Sequence, residues 1–237
     1  MRTKAILFDK DGTLLAFDAF WISLAKTALG TLFAENGIPF PEEEILAMVG
    51  VKGGKTDING VLVHGTYGDI AELLYPLMKE GGYQKAPEIL HEEMNEIFCR
   101  CADAGEILSD CADLPSVLQQ LQDAGITLAV VTSDTPEMTA KCLKEMGVED
   151  FFETIYSDDG IHPNKPDPFA AEDFCRKWGF AKDEVVMVGD TMTDMRFAKN
   201  AGIRGVGIAK DEDHKKILSE ATDTLIYDLS ELFGVLQ

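Results

Sequence analysis

Ala5-Ile6-Leu7-Phe8-Asp9-Lys10-Asp11-Gly12-Thr13-Leu14 decides how the rest of the chain is read. Four apolar residues in a row describe a short strand buried on both faces. The strand ends on two carboxylates, Asp9 and Asp11, and residues two apart on an extended chain point the same way. Two acids aimed at one spot repel, so a positive group or a reaction is the reason to put them there. Gly12 lets the backbone turn sharply and come close to a ligand. A strand followed by an ordinary Asp-Gly turn is the plainer alternative, and the remainder of the chain decides between the two.

From Asp113 onward the chain alternates helix and strand. Asp113-Leu114-Pro115 opens a helix with a cap and an early proline, and Leu114, Val117, Leu118 and Leu121 form its inner face. Ile126–Val131 reads as a buried strand followed at once by Thr132-Ser133-Asp134. A helix from Pro136 to Met146 stops at Gly147, and the short strand Thr154–Ser157 leads to Asp158-Asp159-Gly160. Asn164-Lys165-Pro166-Asp167-Pro168 introduces a helix to Trp178. The strand Val185–Gly189 ends in Asp190-Thr191-Met192-Thr193-Asp194, and the following helix stops at Gly202. Ile203–Ile208 and Leu225–Tyr227 are the last two strands. Strands separated by single helices imply right-handed crossovers and a Rossmann-like, mainly parallel α/β sheet covered on both faces. Ligands of such sheets sit beyond the carboxyl ends of the strands. Asp9 and Asp11, Thr132 to Asp134, Asp158 and Asp159, and Asp190 with Asp194 all fall there. Random surface acids would not sort themselves in this way.

Residues 17–104 have another character. They read as helical, with no convincing strand pair. Phe17, Phe20, Trp21, Leu24, Ala28 and Leu32 recur at helical spacing, and Ile89, Leu90, Met94, Ile97 and Phe98 form a second apolar face. The expected organisation is a core of residues 1–16 and 105–237 with a smaller all-helical domain, 17–104, inserted after the first strand. Gly50-Val51-Lys52-Gly53-Gly54-Lys55-Thr56 invites comparison with a phosphate-cradling Walker loop, but the glycine five before Gly54 is missing, since that position is Val49. The stretch reads as a flexible loop in which Lys52, Lys55 and His64 are candidate substrate contacts or simply solvated. Cys99-Arg100-Cys101 lacks the second close pair of a zinc site.

The 237 residues carry 42 acidic against 21 basic side chains, a formal charge of −21. Such a surface repels nucleic acid and anionic lipid, so neither a nucleic acid nor a membrane is an expected partner. No apolar run is long enough to cross a bilayer. Met1-Arg2-Thr3-Lys4 is followed by only four apolar residues before Asp9, too few for a secretion signal. Five cysteines in no regular framework fit free thiols in a reducing, cytoplasmic compartment.

Several carboxylates gathered at neutral pH need a cation, and oxygen-only ligands suit Mg²⁺. The Thr132 hydroxyl, amides at the helix start beyond it and Lys165 would receive phosphate oxygens, with Ser133 beside them. One carboxylate could then attack phosphorus while a second handles the proton. Asp9-Lys10-Asp11-Gly12-Thr13, Thr132, Lys165-Pro166 and Gly189-Asp190 with Asp194, in this order, resemble the four motifs of the haloacid dehalogenase-like (HAD) phosphohydrolases, in the branch of phosphoglycolate phosphatases and beta-phosphoglucomutases. The resemblance covers the core. It implies Asp9 as nucleophile, Asp11 as general acid and base, and Thr132 and Lys165 as phosphate binders. It implies Asp9, Asp190 and the Asp11 carbonyl as Mg²⁺ ligands, with Asp194 as ligand or support. It also implies that 17–104 is a helical cap that excludes water and selects the substrate. The expected activity is a Mg²⁺-dependent phosphatase acting on a small phosphorylated metabolite. A sugar phosphomutase and a non-catalytic binding protein are the alternatives.

Overall fold

The computed structural model describes residues 3–57 and 60–236; of His64, one of the candidate substrate contacts, the side chain lies outside the described atoms. The chain divides into two compact units, Met1–Ala16 with Ile107–Gln237, and Phe17–Glu106.

The strands are β1 (Ala5–Phe8), β2 (Val51–Lys52), β3 (Lys55–Thr56), β4 (Thr127–Val131), β5 (Thr154–Tyr156), β6 (Val185–Gly189), β7 (Arg204–Ile208) and β8 (Leu225–Ile226). Six of them form one sheet in the order β5-β4-β1-β6-β7-β8. Every neighbouring pair in it is parallel. The chain builds outward from β1 through β4 to β5, returns to the other side of β1 at β6, and continues to β8. That reversal of strand order leaves a crevice at the carboxyl ends of β1, β4 and β6, the usual ligand position of an open parallel sheet.

The period-two alternation of the strands divides the core into two layers. Ile6, Phe8, Leu128, Val130, Val186 and Val188 face one side. Ala5, Leu7, Ala129, Val131, Val185 and Met187 face the other, against Ala171 and Phe174 of the helix Phe169–Trp178 and Phe197 of the helix Met192–Ala201. Each large side chain buried in this way contributes roughly 1.5–3 kcal/mol. The three central strands are therefore stiff mounts for whatever follows them.

The other unit carries the helices Phe17–Glu35, Glu42–Met48, Tyr67–Glu80 and Pro87–Arg100. Phe20, Leu24, Ala28 and Leu32 are buried as their spacing requires. One expectation is corrected here. The stretch 51–56 is an antiparallel hairpin, with Val51 opposite Thr56 and Lys52 opposite Lys55. Gly53 and Gly54 both adopt positive φ, 59° and 76°, the backbone that a two-residue hairpin turn demands. Asp18 ties the hairpin to the first helix, its Oδ1 accepting from the Thr56 amide at 3.0 Å and the Thr56 hydroxyl at 2.7 Å. The segment is thus held at its end by a charged acceptor.

Candidate active site

Asp9 continues β1, its amide donating to the Val188 carbonyl at 2.8 Å. The sheet register that fixes Phe8 opposite Val188 therefore also fixes Asp9. Thr132 continues β4 in the same manner, its amide 2.9 Å from the Tyr156 carbonyl. Asp190 directly follows β6. Asp194 is the third residue of the next helix, and it and Thr191 cap each other: the Thr191 hydroxyl donates to Asp194 Oδ2 at 2.6 Å, and the Asp194 amide donates back to Thr191 Oγ1 at 3.3 Å. Lys165 arrives from the loop before the helix Phe169–Trp178. Its ammonium donates to Asp9 Oδ1, and to Asp194 Oδ1 at 2.7 Å. Five predicted residues thus come from the ends of four adjacent strands, β5, β4, β1 and β6, or from the segments that follow them, and Asp9, Lys165 and Asp194 are in direct contact.

Asp9, Asp190 and Asp194 each bring a carboxylate oxygen within 4.8 Å of the others, and all three residues are buried. Gly12 makes this approach possible. Its φ is +87°, and a Cβ there would lie 2.0 Å from Asp190 Oδ2. Alanine at this position would therefore collide with the cluster as well as strain the turn.

Burial pushes the Asp9 carboxyl up to about 7; Lys165 pulls it down, and Asp194 and Asp11 push it further up. Asp190 is also held well above the ordinary carboxylate range, first by burial and then by Asp9. Burial alone would lower the Lys165 ammonium, but Asp194 and Asp9 outweigh it and hold it protonated. The arrangement has three carboxylates around one ammonium. Asp190 Oδ1, buried, has no hydrogen-bond partner among the described protein atoms. An orphaned carboxylate oxygen within an excess of negative charge, all donors being oxygen, fits a hard divalent cation.

The remaining predicted residues stand outside this cluster of carboxylates. Thr132 is buried, and its Oγ1 accepts from the Asp134 amide at 3.2 Å. Ser133 is exposed next to it. A cavity of about 270 Å³ opens beside Thr132 and Lys165, walled in part by Tyr156, Asn164 and a stacked pair, His162 on Phe169. Asp158 and Asp159 do not join the acid cluster. They close their own loop, Asp158 Oδ1 accepting from the Gly160 amide and Asp159 Oδ1 from the amides of Ile161 and His162. Lys52 and Lys55 lie exposed on the hairpin.

The role of one residue in this neighbourhood, Lys10, escaped the sequence reading. The Lys10 side chain is fully buried, with Nζ 2.7 Å from Asp11 Oδ1 and 3.0 Å from Asp134 Oδ2. Burial works against its charge, and Asp11, Asp134 and Cys142 more than offset that effect. The available signal was the charge of residue 10 itself: a lysine placed directly after a fully buried strand needs an acid within reach.

Comparison with known proteins gives the family. Residues 3–202 match the family model described as haloacid dehalogenase-like hydrolase, so the chain belongs to that family. It is 27% identical to a phosphoglycolate phosphatase of Vibrio parahaemolyticus, over 98% of this chain and 95% of the relative. A phosphoglycolate phosphatase of Pseudomonas syringae pv. syringae is 29% identical, over 95% of this chain and 76% of the relative. Among solved structures, a Bacillus subtilis protein named as a HAD-hydrolase, YfnB, bound to magnesium, superposes with a TM-score of 0.73. It is 24% identical and covers 100% of both chains, a likeness of fold. Among the described residues no helix is long and apolar enough to cross a membrane.

Proposed function

We propose that this chain is a Mg²⁺-dependent phosphatase that hydrolyses a small phosphorylated metabolite through an aspartyl-phosphate intermediate, with phosphoglycolate the first ester to test. The observation that carries the reading is the contact of Lys165 with Asp9, 156 positions apart in sequence, inside an acid cluster. A nucleophilic carboxylate needs a neighbouring cation to approach an anionic phosphoryl group, and Lys165 is placed for that. The two relatives' names support the choice of ester.

In this scheme Asp9 attacks phosphorus, and the bond from phosphorus to the ester oxygen breaks. Asp11 donates its proton to the departing alcohol. It then takes a proton from the water that attacks the phosphoaspartate, which returns Asp9 and releases inorganic phosphate. Lys165 and Thr132 hold the non-bridging oxygens in place. Asp9, Asp190 and the Asp11 carbonyl would hold Mg²⁺. Asp194, whose oxygens are engaged by Lys165 and Thr191, orients the lysine. A bound Mg²⁺ supplies charge neutralisation between Asp9 and the phosphoryl oxygens. The helical insert, 17–104, we take as the part that selects the ester. Five free thiols support a reducing, cytoplasmic setting.

A panel of phosphate esters including phosphoglycolate, assayed for released phosphate with Mg²⁺ and with chelator, tests this. Release should require Mg²⁺ and fall by at least about 10³-fold in Asp9→Asn, since the amide cannot form the phosphoaspartate. Undiminished turnover by that variant would remove Asp9 as nucleophile. Isomerisation of a sugar phosphate without phosphate release would replace hydrolysis by mutase chemistry.

A further inference from the structure

Lys10 has no part in the scheme above, yet it is buried more completely than any catalytic side chain except Asp194. Ile6 and Phe8 pack into the core layer on one face of the sheet, and the alternation of β1 sends residue 10 toward that same face. Its long stem covers the distance, and its ammonium ends between two carboxylates, Asp11 Oδ1 at 2.7 Å and Asp134 Oδ2 at 3.0 Å. Asp134 is itself fixed. Its Oδ1 accepts from the Thr135 amide at 2.8 Å, and its amide donates to Thr132 Oγ1 at 3.2 Å. Its carbonyl accepts from the Asp158 amide at 2.8 Å. One buried ammonium therefore joins the loop that carries the proposed proton donor to the loop that carries a phosphate-binding hydroxyl.

We propose that Lys10 is a positioning residue: anchored by Asp134, it holds Oδ1 of the Asp11 carboxylate, and so assigns proton exchange with the leaving alcohol to Oδ2. This rests on the phosphatase reading. An aspartate side chain rotates about two bonds, and a misplacement of about 1 Å in a proton donor costs up to roughly 10²-fold in rate. A lysine that served only to stabilise the turn would show no preference among leaving groups.

The leaving group separates these cases. An alkyl phosphate expels a basic alkoxide and depends on the Asp11 proton, whereas 4-nitrophenyl phosphate expels a stable phenolate and depends on it little. The ratio kcat/KM reports through the step that releases the alcohol. Lys10→Met should lower kcat/KM for the best alkyl ester by about 30- to 100-fold and for 4-nitrophenyl phosphate by less than about 5-fold. Far-ultraviolet circular dichroism and a thermal melt establish that the variant is folded. If Lys10→Met does not fold, Asp134→Asn, which keeps the lysine beside Asp11, should carry the same skew at smaller amplitude. Equal losses on both esters in a folded variant, or no loss on the alkyl ester, would overturn the proposal. A wild-type protein that turns over neither ester would instead overturn the phosphatase reading.

Discussion

Two buried lysines flank the end of β1, and they are placed there in opposite ways. Lys165 comes from a distant loop and straddles Asp9 and Asp194; Lys10 comes from the strand itself and straddles Asp11 and Asp134. Each brings one positive charge to two carboxylates within contact, in a setting where an unpaired charge is costly. The difference lies in what each pair can reach. Lys165 stands in the cluster with Asp190 and Asp9, the proposed nucleophile. Lys10 stands one step back and, in the proposal above, acts on the reaction through Asp11. In the proposed scheme the same local chemistry serves two functions, charge neutralisation at phosphorus and orientation of a proton donor, and the variants below separate them.

The largest effect belongs to Lys165. Lys165→Met removes the cation from Asp9 and leaves Asp194 without its ion-pair partner. A fall in kcat of about 10³-fold is expected on alkyl and aryl esters alike, because charge at phosphorus matters whatever the leaving group. A leaving-group skew in this variant, as expected for Lys10→Met, would erase the distinction between the two lysines.

The acids next to Lys165 should also reveal themselves in the metal-free protein. Asp9 is raised to about 7 from an ordinary 3.8, and Asp190 is raised in the same direction. Between those two pH values the folded chain holds protons that the unfolded chain has released. The folded state therefore binds more protons, and stability falls as pH rises through that window. In chelator, the thermal midpoint should be higher near pH 5 than near pH 7.5. Mg²⁺ should raise it most at the higher pH, and Asp190→Asn should flatten the slope. A midpoint that climbs with pH in chelator would contradict the raised carboxyls.

How the sequence announced these two sites differs for physical reasons. The strands β1, β4 and β6 were legible because runs of apolar residues ending in acids admit few other readings. Asp9, Asp190 and Lys165 followed from their places at strand ends and from a motif order. Lys10 was hidden by the very alternation that paired Asp9 with Asp11: a neighbour in a strand points to the other face, and only a side chain as long as lysine can bend back to the acid beside it. The hairpin at 51–56 was missed for a different reason. Strands of two residues carry no periodicity, and only the Gly53-Gly54 pair signalled the turn.

The smallest effect, and the most selective, concerns Asp134. Replacing it by asparagine keeps the backbone contacts of residue 134 and the Lys10–Asp11 ion pair, so the pair persists while its anchor weakens. A drop of about 3- to 10-fold in kcat/KM on the alkyl ester is expected, with the aryl ester nearly unchanged. The Lys10→Met/Asp134→Asn double variant should be little worse than Lys10→Met, since both substitutions remove the same restraint on Asp11. Losses that multiply would mean that the Asp134 side chain acts by a route independent of Lys10, through the Thr135 amide whose hydrogen bond its Oδ1 accepts, and KM for the ester would then rise in Asp134→Asn while kcat stayed level.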